Sequence, residues 1–223
     1  VKTIAVGTGK ALVMGEQGEA DVLLVHAPSS EKKLVDEGIV TNYQLIMHND
    51  FIIVGPPEDP AGIRGKSDVK EVFQNIAEKE ALFVSRGDDS GTHKKELSVW
   101  QACNIEPEGA WYQEAGAGMG DTLGIAAEKK CYTLTDRATY LALKENLGLD
   151  VLSEGDPLLL NIYHVMQVNE EKFDKVNGEG AKAFVDFWVT DETQNLIGEF
   201  GKDKYGEPLF FPDAGRDPAE LGL

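Results

Sequence analysis

The residues best placed for chemistry lie in one stretch, Val84-Ser85-Arg86-Gly87-Asp88-Asp89-Ser90-Gly91-Thr92-His93. Ser90, Gly91 and Thr92 bring two hydroxyls and several backbone N–H groups to the start of a helix. The leading N–H groups there have no intrahelical acceptor, and the helix dipole adds positive potential. Arg86 contributes a planar guanidinium fork suited to a two-point contact with an oxyanion, and Asp88 can hold that fork in place. This pattern predicts a pocket for a tetrahedral oxyanion. The same ten residues also fit a plain helix cap beside a salt bridge, so structural context has to decide. The tripeptide Arg86-Gly87-Asp88 also spells an adhesion signal, discounted because three residues recur by chance.

Strand and helix patterns alternate along the chain and would position this stretch. Val1–Val6, Asp21–Val25, Tyr43–Met47, Phe51–Val54, Ala81–Val84, Trp111–Glu114, Tyr132–Leu134 and Leu158–Val168 read as strands. Lys10–Glu16, Glu31–Glu37 (capped by Ser29), Asp68–Glu78, Thr92–Cys103, Thr122–Lys130, Arg137–Leu147 (capped by Asp136), Ala181–Val189 and Glu192–Phe200 read as helices. Short apolar strands between helices predict an α/β fold with mostly parallel sheets covered on both faces. The glycine-bearing turns Gly7–Gly9, Ser85–Thr92 and Gly116–Gly120 each join a strand end to a helix start. That is the edge where open α/β sheets bind ligands. Thr8 is thereby a further candidate donor, and Gly118 with Met119 marks a close-approach loop.

Composition sets limits on the function. The chain has 223 residues, 42% hydrophobic and 27% charged, which suits one large domain or two small lobes. No apolar run approaches the roughly 20 residues a membrane helix needs. A net charge of −18 argues against nucleic acid or an anionic membrane as partner. It leaves a small anion open, because distant acidic groups are screened beyond about 8–10 Å at moderate salt. The chain opens on strand-like sequence without Met or a leader, the expectation for a mature or trimmed chain.

Arg-x-Asp-x-Ser-Gly-Thr, together with the upstream Gly7-Thr8-Gly9, resembles the oxyanion receptors of ABC importers, the type II periplasmic binding proteins. Ala5–Leu12, Asp21–Pro28, Glu114–Gly120 and Tyr132–Arg137 are similar to the tungstate-binding members, the TupA type. The resemblance implies two α/β lobes joined by two crossover strands, with the anion held in the cleft between them. It puts residues 1–54 and 161–223 in one lobe and 55–160 in the other. It implies Arg86, Ser90 and Thr92 as anion ligands on the second lobe, beside Gly91 and oriented by Asp88. Such receptors also use a Thr-Thr-Thr-Ser segment ending their first strand. No such segment stands here, and the sequence begins at what resembles the second strand, so part of the site is expected outside it.

The implied function is an extracytoplasmic, monomeric receptor that captures tungstate, or molybdate, and delivers it to a membrane permease. No cofactor, metal or catalytic group is expected. Phosphate-binding relatives place an Asp near the position of His26. Here His26-Ala27-Pro28 follows the strand with no carboxylate before Glu31, which suits an oxyanion carrying no proton near pH 7. His26 itself reads as a packed strand-end residue and His93 as a solvated helix residue. Cys103 and Cys131 are expected to pair inside the second lobe of an exported chain. Alternative readings are a cytosolic anion-sensing domain and a molybdate- or phosphate-specific receptor. Gly7-Thr8-Gly9-Lys10 is no P-loop, and Gly116–Asp121 lacks the last glycine of the dinucleotide fingerprint.

Overall fold

The structure is a computed structural model and describes residues 1–222. In chain order the elements begin with α1 (Thr8–Glu16), β1 (Val22–Val25), α2 (Pro28–Asp36), β2 (Val40–Gly55) and α3 (Val69–Glu78). There follow β3 (Phe83–Ser85), α4 (Gly91–Ala102), β4 (Tyr112–Glu114), α5 (Met119–Lys129), β5 (Thr133–Asp136) and α6 (Arg137–Leu143). The last are β6 (Asp150–Ser153), β7 (Leu160–Val168), α7 (Gly178–Trp188), α8 (Asp191–Glu199), α9 (Lys202–Tyr205) and β8 (Phe211–Pro212). Two units result. Unit 1 holds Val1–His48 and Asn161–Leu223, and unit 2 holds Asn49–Leu160, so β2 carries the chain out of unit 1 and β7 returns it.

In unit 1, β7 lies between β1 and β2 and pairs antiparallel with β1, Val22 opposite Gln167 through Val25 opposite His164. Alternation then divides the side chains. Leu23, Val25, Met166 and Val168 join Leu12 and Leu34 on one face, and Val165 joins Ile46, Val185 and Ile197 on the other. This sheet is buried on both faces, as the apolar strand runs predict. Two buried acids fasten it. Glu31 receives the Ala27 N–H at 2.6 Å and the Tyr43 hydroxyl at 2.8 Å, and His164 Nδ1 lies 2.9 Å away. Asp213 holds His48 at 2.6 Å and Arg216 at 2.9 Å, fixing β8 on β2.

In unit 2, β2 pairs antiparallel with β5 and with β6, with a bulge between Ile53 and Val54. β3 pairs in parallel with β4, and Phe83 bridges Tyr132 in parallel just before β5. The core beneath is aromatic: Phe73, Phe83, Trp100 and Tyr132 are each at most 1% exposed. Phe73 and Trp100 bring their ring centroids within 4.3 Å. Asp68 caps α3 by accepting from the Lys70 and Glu71 N–H groups.

The expected elements need several corrections. Val1–Val6 is irregular and exposed, because β propensity forms no strand without a neighbour to complete a ladder. The two strands expected over 43–54 are one 16-residue strand, β2. The polar break His48-Asn49-Asp50 stays extended because His48 meets Asp213, and Asp50 meets Arg137 in a two-point contact at 2.8 and 2.6 Å. α2 is capped at Ala27 with Glu31 reaching back, not at Ser29. α6 ends at Leu143 and continues as a short 3₁₀ turn over Lys144–Asn146.

The sheets are also less parallel than expected. Among the described residues, β1–β7, β2–β5, β2–β6 and β2–β8 are antiparallel, and parallel pairing is seen at β3–β4 and Phe83–Tyr132. A strand that passes through both units is met by chain returning alongside it.

Cys103 and Cys131 are free thiols, against the expected disulfide. Cys103 closes α4 and faces the Lys70 carbonyl at 3.7 Å, whereas Cys131 is buried behind α5 with the Ala126 carbonyl at 3.6 Å. Burial raises both thiol pKa values, Cys131 to about 11, so neither is poised to react at neutral pH. Thiol titration of non-reduced protein should count two free groups, with Cys131 reacting only after unfolding. A count of zero thiols under denaturing, non-reducing conditions would contradict the free pair.

Candidate functional site

The expected anion stretch lies at one edge of unit 2. β3 and β4 run in parallel and end together, Ser85 opposite Glu114, and the Ala115 N–H donates to the Ser85 carbonyl at 2.9 Å. The loops leading to α4 and α5 therefore leave from the same edge. β5 runs parallel to β3 at the Phe83–Tyr132 bridge and ends at Asp136, where α6 begins. Three helix N-termini gather at the carboxyl ends of three strands, the arrangement in which α/β sheets hold ligands.

The three helix starts differ in how many donors they leave unspent. Asp136 caps α6, accepting from the Thr139 N–H and hydroxyl at 2.8 Å each, and Arg137 is held by Asp50 and Glu154. No side chain caps α5 at Gly118, though the Thr122 hydroxyl donates to the Gly118 carbonyl at 3.0 Å. Met119 is only 6% exposed, so its side chain belongs to the core and what it can offer the edge is its backbone N–H at the start of α5. At α4, Ser90 is the N-cap and its Oγ accepts from the His93 N–H at 3.2 Å. Among the described residues, the N–H groups of Gly91 and Thr92 and the Thr92 hydroxyl have no protein partner.

The loop before α4 is tightly built. Gly87 has φ 61° and Asp89 φ 58°. A Cβ on Gly87 would lie 2.7 Å from the Glu114 Cβ, so both the turn and the close approach require glycine. The Ser90 N–H donates to Asp88 at 3.2 Å, and the Asp89 N–H donates to His93 Nδ1 at 3.0 Å. Arg86 Nε sits 2.8 Å from Asp88 Oδ2, although its N–H is not aligned along that contact. Burial pushes the Asp88 carboxyl up, but Ser90, through hydroxyl and N–H, and Arg86 together hold it below the usual carboxylate value. The terminal nitrogens of Arg86 have no protein partner among the described residues. A fork anchored at one end and unspent at the other therefore stands beside two unspent helix amides and a hydroxyl. This grouping can bind a small oxyanion by charge-assisted hydrogen bonds.

Other expected residues lie elsewhere or behave differently. Thr8 opens α1 in unit 1, half-buried, behind a Gly7 cap that has no side-chain bond. His26, just past the end of β1, is exposed but packs its ring on Tyr163, centroids 4.9 Å apart, with Nδ1 2.9 Å from Asn161 Oδ1, as expected of a packed strand-end residue. His93 is half-buried and carries the Asp89 amide, so it braces the loop rather than facing water.

Beneath the loop lies a network that the sequence reading missed. Glu96 is 2% exposed and accepts from Ser85 Oγ at 2.7 Å, Tyr112 OH at 2.8 Å and Trp100 Nε1 at 3.1 Å. It ties the end of β3 and the start of β4 to α4. Burial pushes its carboxyl up, opposed by those three hydrogen bonds. The available signal was a carboxylate within the buried stripe Thr92, Glu96, Val99 and Trp100.

Comparison with known proteins gives the family. The PBP superfamily domain model matches residues 1–192. The chain is 49% identical over 217 residues to the tungstate-binding protein TupA of Peptoclostridium acidaminophilum, covering 96% of this chain and 76% of that relative. Among solved structures, the tungstate-binding protein TupA of Desulfovibrio alaskensis G20 superposes with a TM-score of 0.87 at 45% identity, over 96% of this chain and 86% of that one. The tungstate ABC transporter structure from Geobacter sulfurreducens superposes with a TM-score of 0.70 at 45% identity, over 88% of this chain and 84% of that one. The chain belongs to the PBP superfamily and, within it, to the TupA-type binding proteins.

Proposed function

We propose that this chain is an extracytoplasmic receptor that captures tungstate and hands it to the permease of an ABC importer. The observation that carries this reading is the edge of unit 2, where Arg86, Gly91 and Thr92 carry donors without a protein partner among the described residues. Ser90 and Asp88 build that edge, Ser90 as the helix cap and Asp88 as the anchor of the Arg86 fork. The N–H groups that open α5, at Gly118 and Met119, are further donors at the same edge. TupA relatives that bind tungstate support the choice of ligand, and the ABC transporter neighbour supports the permease as partner.

The chemistry favours a fully deprotonated dianion over hydrogen phosphate. A protonated phosphate oxygen needs an acceptor. The loop carboxylate Asp88 is already spent on Arg86 and Ser90. Tungstate and molybdate carry no proton near pH 7 and ask only for donors. Calorimetric titration with tungstate, molybdate, sulfate and phosphate is the test. Tungstate should bind at least tenfold more tightly than phosphate, a difference of about 1.4 kcal/mol or more, and the tungstate-binding relatives support the same margin over sulfate, which like tungstate carries no proton. Phosphate binding as tight as tungstate binding would overturn the reading.

A further inference from the structure

Lys95 stands four residues after Gly91 on α4, which places the two on one face of the helix. Helical side chains in general lean back toward the N-terminus, which on α4 is the donor-bearing end. About 6 Å of helix axis separates the two Cα positions. The Lys95 ammonium donates to the Leu158 carbonyl at 2.9 Å and the Leu160 carbonyl at 3.3 Å, and lies 5.9 Å from the centre of the Phe51 ring.

Those partners carry dipoles and a quadrupole but no net charge. Among the described residues, no carboxylate pairs with Lys95. The neighbouring carboxylates have other partners: Asp88 meets Arg86 at 2.8 Å, Asp89 meets Lys94 at 3.4 Å, and Glu96 is spent on three neutral donors. The arginines Arg137 and Arg64 of unit 2 are matched by acids, Arg137 by Asp50 and Glu154, and Arg64 by Asp150; Lys79 and Lys129 also meet neutral oxygens, but they are exposed whereas Lys95 is half-buried. Burial pulls the Lys95 pKa below the ordinary lysine value, as desolvation does to an ammonium with no counter-charge. In a chain of net charge −18, this cation is held half-buried, without a carboxylate partner among the described residues and one turn behind the candidate anion site.

We infer that Lys95 is the counter-charge of the bound oxyanion, stabilising it through space without touching it. The inference rests on the receptor reading above and adds a residue that its donor set does not include. The carbonyls of Leu158 and Leu160 fix where the charge sits. Both lie where the chain leaves unit 2 for β7, so Lys95 also ties α4 to that segment.

Charge and structure can be separated, because Coulomb energy is proportional to ligand charge. Tungstate and perrhenate are tetrahedral oxyanions of similar size carrying two charges and one. Binding of each is measured, perrhenate by displacement of tungstate, to wild type, Lys95→Met and Lys95→Arg. Lys95→Met should weaken tungstate roughly tenfold and perrhenate only about threefold, the square root of the first effect. Lys95→Arg should hold tungstate within about threefold of wild type, since it keeps the charge. Equal losses for the two anions in Lys95→Met would mean that the residue acts through structure and would overturn the inference alone. So would unchanged tungstate affinity in that variant. Wild-type protein that binds neither anion would overturn the receptor reading and this inference together.

Discussion

Arg86→Ala is expected to weaken tungstate binding by at least tenfold and to leave the melting temperature of the free protein nearly unchanged. The guanidinium contributes little to the fold. Its ion pair with Asp88 is a local contact between half-buried groups two residues apart, a class that adds little to stability. Its terminal nitrogens have no protein partner to lose. Toward a dianion the same groups make charge-assisted hydrogen bonds worth about 1.5–3 kcal/mol, roughly 10- to 150-fold in affinity. Arg86→Lys should recover only part of the loss, because an ammonium keeps the charge but not the two-point geometry. Calorimetry of both variants checks this. Wild-type affinity in Arg86→Ala would remove the site from this loop.

Glu96→Ala should act in the opposite way, through the fold. It leaves the Trp100 indole and the Ser85 and Tyr112 hydroxyls without their buried acceptor and opens a cavity between β3, β4 and α4. An unsatisfied buried donor costs about 1–3 kcal/mol, and hydroxyls can turn to other acceptors, so the net loss should be about 3 kcal/mol. For a chain of this length that lowers the melting temperature by about 6–12 °C. Glu96→Gln keeps the shape and should cost less.

The pH dependence of Glu96→Gln has a defined sign. Burial raises the folded-state pKa of Glu96 above its ordinary value of 4.5. An acid raised in this way adds stability below the unfolded value and loses it as pH rises through the folded value. Wild-type stability should therefore fall relative to Glu96→Gln as pH climbs from about 4.5 through the raised value. Parallel melting curves against pH would show that the carboxyl is not perturbed.

Local signals made much of this legible in the sequence. Ser90 and Asp136 as caps and the Arg86–Asp88 pair all lie within three residues of what they bind, whereas Asp68, read as the first residue of its helix, is the cap of α3. The helices α3, α4, α5, α7 and α8 follow from apolar periodicity between such caps. What escaped the sequence depends on distant partners. Polar residues 48–50 read as a break, yet Asp213 and Arg137 supply what keeps β2 extended through them. β8 is two residues, one of them Pro212, and exists because Met47 and His48 present a ladder to it. β6 is four residues with polar ends, half-buried Asp150 and buried Ser153, too short for a periodic signal. Val1–Val6 shows the converse, strand-like composition with no ladder to join.

The donor loop was legible because it is contiguous. Its support was not. Glu96 appears in the sequence as one charged residue on a helix, and only the parallel register of β3 and β4 brings Ser85 and Tyr112 to it. Lys95 likewise gains its meaning from Leu158, Leu160 and Phe51, more than 40 positions away in either direction.

The central claim is that the oxyanion sits at the start of α4, and locating the tungsten tests it most directly. In crystals grown with stoichiometric tungstate, an anomalous difference map at the tungsten L edge should show one dominant peak. Its oxygens should lie about 2.7–3.0 Å from the Arg86 guanidinium and from the N–H groups of Gly91 and Thr92. A dominant peak that leaves all three of these residues without a contact would contradict the account.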